Sequence, residues 1–184
     1  FVTGSNANML SRELGTHLTG RYCQIELYPF SFPEFLKIKE VYPQQKDFYT
    51  TTGKSILKRY FDEYVKTGGF PRYIKDPNTN YLSTLYENII YKDVGTRNQL
   101  NGERELLEMV YYLASNATKR FSYTSLAKTI GIKHTETVKN YLEYLENTYL
   151  LFQVMKFDWS VKKQMNNQKK VYFIDNAIIG KVGF

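Results

Sequence analysis

Few side chains in this chain of 184 residues are spaced for covalent or metal chemistry. Cys23 is the single cysteine, so an internal disulfide and a cysteine-based metal cluster are both excluded, and a lone thiol fits a reducing, intracellular compartment. His17 and His134 lie far apart in the chain with no acidic or thiol ligand at metal spacing, so no metal site is expected. What remains is electrostatic. The net charge of +7 favours anionic partners, nucleic acid or nucleotide. Lys162, Lys163, Lys169 and Lys170 lie in one polar stretch, and Lys133 stands just before a helix start. Asp93 and Arg97, four apart, are expected to pair locally, and Asp175 ends a strand without a catalytic role.

The elements that must position these residues are best marked over Phe121–Leu151, FSYTSLAKTIGIKHTETVKNYLEYLENTYLL. Leu126, Ala127 and Ile130 share one face of a short helix, Gly131 breaks it, and Ile132 plugs the turn. A second helix follows with Thr135 as its N-cap and a buried stripe of Val138, Leu142, Leu145 and Tyr149. The apolar runs Leu150–Val154 and Val171–Ile174 read as strands separated by the polar Ser160–Lys170. Together they spell a winged helix-turn-helix, a fold that does not by itself define a function. Its second helix shows Glu136, Lys139, Asn140, Glu143 and Glu146 outward, a face acidic on balance that phosphates would repel. The wing lysines and Lys133 have the right sign for phosphate, and the apolar Tyr141–Leu145 segment suits an inter-domain or subunit surface.

Upstream, FVTGSN reads as a strand end and polar turn, followed by a helix around Asn8–Leu18 that closes at Gly20. Arg21–Phe30 alternates as a strand ended by Pro29. Ser31, Pro33 and Glu34 form a helix-entry signal. An exposed connection over Tyr42–Gly53 leads to an amphipathic helix, Ser55–Lys66, with Ile56, Leu57, Tyr60, Phe61 and Tyr64 inward, which stops at Gly68-Gly69-Phe70-Pro71. Further helices are expected over Tyr81–Asp93 and Glu103–Ala114. Most tyrosines and phenylalanines sit at helical or strand spacing beside Leu and Ile, which assigns them to the core and not to a base-stacking platform. No stretch is apolar enough for a membrane helix and no signal peptide is seen, so the chain reads as soluble and cytoplasmic. With no initiator Met, it is expected to be a piece of something longer.

The order FVTGSN, LTGRY, IELYPFSFPEFL, a helical lid closing in GGFP, and a winged helix ending in KKVYFID resembles the predicted ATPases of the AAA+ superfamily, near the STAND and archaeal ATPase branch. The resemblance covers nearly the whole chain. It implies a fold that is α+β and mostly α: the last two strands of a P-loop α/β core over residues 1–41, a helical lid and connection over 42–98, and a winged helix over 99–184. A P-loop segment would precede these residues, and a restriction-endonuclease-like domain often follows. It also implies ATP and Mg²⁺ as cofactors of the intact parent. Thr3, Ser5 and Asn6 become sensor residues for the γ-phosphate, with no choice among them, and Arg21 becomes an arginine finger offsetting charge during phosphoryl transfer. Gly69 and Pro71 with Gly68 match the lid GGxP that approaches adenine, and Arg72 becomes a phosphate contact.

The departure from the family pattern is equally informative. No G-x-x-x-x-G-K-[ST] occurs and no apolar run ends in paired acids for Mg²⁺, so these residues alone should neither hold a cofactor nor hydrolyse ATP. The first reading is therefore part of an ATP-driven switch that binds nucleotide through its missing core. The alternative is a winged-helix DNA-binding module, touching phosphate through Lys133, Lys162, Lys163, Lys169 and Lys170, or a protein-interaction domain without ATPase activity. Self-association or docking on a further domain belongs to either reading.

Overall fold

The computed structural model describes Cys23 and residues 25–78, 80–96 and 102–183. Over these the chain is mostly helical, with one three-stranded antiparallel sheet in the order β1-β3-β2. The expectations for Thr3, Ser5, Asn6 and Arg21, for the helix around Asn8–Leu18 and for Arg97 lie outside the described residues. The strand expected over Arg21–Phe30 is corrected in its described part. Residues 25–30 form no strand, and Ile25 and Leu27 are 76% and 92% exposed. A strand needs a neighbour for its backbone N–H and C=O groups, and the described sheet pairs only Arg120–Phe121, Leu151–Met155 and Lys169–Phe173.

Ser31 stands at the N-cap of α1 (Phe32–Ile38), and the Glu34 carboxylate turns back to accept from the Ser31 amide at 2.8 Å and the Ser31 hydroxyl at 2.6 Å, the pairing of these two residues that the Ser-x-x-Glu spacing predicts. Phe35 and Leu36 are buried, and Phe35 packs on Tyr64 of α2 (Thr51–Thr67) with ring centroids 5.3 Å apart. The connection before α2 is not wholly irregular, since Gln45–Phe48 forms a 3-10 turn. α2 also starts earlier than Ser55, because the Thr50 hydroxyl accepts from the Gly53 amide and caps it. Its apolar side is only partly covered. Leu57, Tyr60 and Tyr64 are half-buried, while Ile56, Phe61 and Val65 stay exposed. α1, two turns long, reaches only part of that side.

α3 (Pro71–Lys75) and α4 (Tyr81–Glu87) follow, and α4 runs on as wider π-helical turns over Asn88–Thr96. α5 (Glu103–Ser115) buries Leu106, Met109, Val110 and Leu113 at helical spacing. β1 (Arg120–Phe121) leads into α6 (Tyr123–Ile130), capped by the Ser122 hydroxyl, which accepts from the Ser125 amide at 3.0 Å. α6 ends on Gly131 at φ +84°, a left-handed conformation that costs a residue with a Cβ about 1–2 kcal/mol. Ile132 is buried in the turn, as its place after Gly131 predicts.

α7 (Thr135–Asn147) begins with His134 at the cap, so Thr135 is its first helical residue and not the cap. Tyr149 has left the helical stripe; it sits at φ +57° and its hydroxyl donates to Glu26 at 2.9 Å. β2 (Leu151–Met155), α8 (Val161–Asn166), β3 (Lys169–Phe173) and α9 (Asn176–Val182) complete the order. The polar Ser160–Lys170 stretch thus contains a helix, capped by the Ser160 side chain.

One buried cluster joins Ile89, Ile90 and Val94 to α5, α6, α7, the inner sheet face and Ile178. Tyr141, Leu142 and Leu145 lie in it, so the apolar side of α7 is spent on the chain's own core and not on a neighbouring domain. Glu146 is not a solvated outward charge either: its two oxygens accept from the Gln153 amide at 2.6 Å and the Gln153 side chain at 2.9 Å, fastening α7 to β2. Burying a leucine such as Leu142 contributes enough that its truncation to Ala should cost roughly 2–5 kcal/mol. The assignment of tyrosines and phenylalanines to the core holds for Phe35, Phe121, Tyr141 and Phe173 and fails widely elsewhere, at Tyr28, Tyr42, Phe48, Tyr49, Tyr111, Phe152 and Phe157 among others, which are exposed.

Candidate functional site: the Gly68-Gly69 junction

α2 cannot continue past Thr67 because Gly68 turns the chain at φ +70°, its amide donating to the Tyr64 carbonyl at 2.7 Å. The next residue is held from two directions. The Gly69 amide donates to the Asp175 carboxylate at 2.6 Å, and the Gly69 carbonyl accepts from the Phe30 amide at 2.7 Å. Tyr64 closes the ring of contacts by donating its hydroxyl to the Phe30 carbonyl at 2.8 Å. Neither glycine has room for a side chain. A Cβ on Gly68 would overlap Asp175 Oδ1, and one on Gly69 would overlap the Phe30 carbonyl.

Asp175 is only 6% exposed. It caps α9, with Oδ1 accepting from the Ala177 amide at 2.8 Å while Oδ2 takes the Gly69 amide. Burial pushes its carboxyl above the ordinary 3.8, against the two backbone N–H groups that favour the charged form. Burial likewise raises the Tyr64 phenol, with the Asp175 and Glu34 charges adding to the shift. The carboxylate thereby ties the end of β3, the start of α9 and the turn after α2 into one unit. Its chemistry is that of an anchor, with both oxygens already engaged.

The residues predicted for nucleotide contact adjoin this anchor. Pro71 opens α3, and the Arg72 guanidinium lies 5.4 Å from the Tyr81 ring centroid; both residues are exposed. Beside them is a hollow of about 390 Å³ lined by Arg72, Asn80, Tyr81, Thr84, Leu85 and Asn88. The close approach that the glycines permit is made by Phe30 and Asp175. Both glycine amides are already donating, so they offer no free donor to a triphosphate. The outward groups are Pro71 and Arg72. Among the described residues no group of three or more His, Cys, Asp or Glu could hold a metal ion.

The predicted phosphate contacts differ in exposure and in the sheet face they occupy. Lys133 is exposed in the turn between α6 and α7, and Lys162 and Lys163 are exposed on α8. Lys169 is corrected: it is buried, donates to the carbonyls of Met165 at 2.9 Å and Asn167 at 3.2 Å, and lies 4.4 Å from the Tyr123 ring centroid. Burial, with the Lys139 charge, pushes its pKa down. Lys170 faces the other side of β3.

Sequence reasoning missed the role of Asp175. Asp before Asn-Ala-Ile-Ile carries a helix-start signal that could have found α9. Its second partner, 106 residues away, has no local signal at all. Among the described residues no helix is long and apolar enough to cross a membrane.

Residues 58–183 match a family described as a domain of unknown function, DUF8612, and residues 1–36 match an AAA domain. An uncharacterised protein of Haemophilus influenzae is 31% identical over 193 residues, covering 99% of this chain and 46% of that protein. The uncharacterised proteins MJ1544 and MJ1637 of Methanocaldococcus jannaschii are 34% and 26% identical, each covering 95% of this chain and 41% of their own length. The chain thus spans less than half the length of these curated relatives. No solved structure matches it.

Proposed function

We propose that this chain, which belongs to the DUF8612 family, is the relay portion of an ATP-driven conformational switch. In this reading residues 1–36 complete an AAA-type ATPase core, and the phosphate loop and Mg²⁺ ligands come from other residues of the parent protein. Thr3, Ser5 or Asn6 senses the γ-phosphate, Arg21 reaches the phosphates of a neighbouring site, and Pro71 and Arg72 meet the nucleotide from the lid. The pair α6 and α7 with the β2–β3 hairpin forms a winged helix that moves against the core.

One observation carries the reading. Phe30, inside the AAA-matched segment, is hydrogen-bonded to Gly69 of the DUF8612-matched segment, and Gly69 is hydrogen-bonded in turn to Asp175 where β3 meets α9. A displacement of the core at Phe30 therefore has a short polar route, buried from Gly69 onward, to the end of β3.

The experiment is an ATP-binding and hydrolysis assay on the full-length protein and its Arg21→Ala variant. Binding should persist and hydrolysis should fall, by about 10³-fold or more for a finger that stabilises the transferring phosphoryl group. Equal hydrolysis in the two proteins removes the finger, and no ATP binding by the full-length protein removes the switch. A second reading, a winged-helix nucleic-acid module without ATPase activity, draws support from the exposed Lys133, Lys162 and Lys163.

A further inference from the structure

The two faces of the sheet differ in chemistry. Inward lie Leu151, Val171 and Phe173, all buried. Outward, the pairing register sets Phe152 opposite Tyr172, and Val154 and Arg120 on either side of Lys170. The Phe152 and Tyr172 rings stack at 5.8 Å with planes 17° apart. Arg120 is exposed, Phe152 and Val154 are nearly half exposed, and none of these outward positions is acidic.

The loop that follows β2 extends this character. Phe157 and Trp159 meet edge to face at 5.4 Å and stand largely in water. The loop is nevertheless tied down. Asp158 accepts from the Ser160 amide at 2.9 Å, the Gln164 side chain donates to the Asp158 carbonyl at 2.7 Å, and Lys169 clamps the far end of α8. Asp158 is the sole acid between Lys156 and Lys170 and is half-buried, whereas Lys156, Lys162 and Lys163 are exposed. A loop held by its own hydrogen bonds with its rings outward, flanked by cations, is built to present those rings.

We propose that the outer sheet face and this loop bind single-stranded nucleic acid, bases stacking on Phe152, Tyr172 and Trp159 while Arg120 and Lys170 contact phosphates. Flat rings interleaved with cations fit an unpaired, negatively charged strand, because every base has a face to stack and a phosphate beside it. A duplex hides those faces. A membrane surface would call for a longer amphipathic element than the six residues of α8. The inference does not rest on the ATPase reading.

Trp159 is the single tryptophan of these 184 residues, so fluorescence excited at the red edge, where the 17 tyrosines barely absorb, reports on this loop. Titration with oligodeoxythymidylate at low salt should quench it saturably, with an affinity that falls by about 0.7 log unit per log unit of salt for each phosphate neutralised. Phe152→Ala should weaken binding about tenfold, and Arg120→Gln should flatten the salt dependence, near-ultraviolet circular dichroism confirming that each variant folds. If Phe152→Ala does not fold, Arg120→Gln alone decides. No quenching, an affinity and salt slope unmoved by the folded variants, or tighter binding to the matching duplex or to phosphatidylserine vesicles would each overturn the proposal.

Discussion

The Gly68-Gly69 junction and the Phe157–Trp159 loop are opposite solutions to placing costly groups. At the junction a charged carboxylate is taken out of water and held because two backbone amides converge on it. In the loop two of the largest apolar side chains are left in water although the chain has a core to put them in. A buried charge persists only where its partners are fixed. An exposed aromatic pair adds little to folding, and a contiguous exposed apolar patch beside it marks a surface for interaction. The junction accordingly reads as internal mechanics and the loop as a surface for a partner.

The contrast is sharpest in stability. Asp175→Ala strands the Gly69 and Ala177 amides in a buried site and should lower unfolding free energy by roughly 2–4 kcal/mol in denaturant titration. A change below about 0.5 kcal/mol would mean the junction is not an anchor. A smaller effect follows from pH. The native carboxyl holds its proton more tightly than the unfolded one, so Asp175 adds stability as pH falls from its raised native value towards 3.8. The advantage of the wild type over Asp175→Ala should widen across that window and stay level above it. An advantage that shrinks in acid would show that the two amides outweigh burial. The smallest effect belongs to the loop, where Trp159→Ser should leave stability within about 0.5 kcal/mol.

What could be read from the sequence was what is encoded locally. The Ser31–Glu34 pairing, the Gly131 stop and the buried spacing of Val138, Leu142 and Leu145 each depend on residues within a few positions of one another, and all are present. The failures are non-local. The amphipathic pattern of α2 marks an apolar side but not what covers it, so Ile56 and Phe61 were expected inward and are exposed. A lysine in a polar stretch looks solvated until β3 turns Lys169 towards Tyr123 and the α8 carbonyls. The GGFP turn was legible as a helix stop, and its partners Phe30 and Asp175 were not, because they come from elements far away in the chain. Phe152 and Tyr172 likewise become neighbours only once the strand register is known.

Through Gly69 the turn after α2 is hydrogen-bonded both to Phe30 of the AAA-matched segment and to Asp175 at the start of α9, which would make the three move as one unit. Amide hydrogen exchange on the full-length protein, with and without ATP, tests this coupling most directly. The Gly69 and Ala177 amides should gain or lose protection together on adding ATP, and Asp175→Asn should separate their responses. Independent changes at the two amides in the wild type, or protection indifferent to ATP in a protein that binds it, would contradict it.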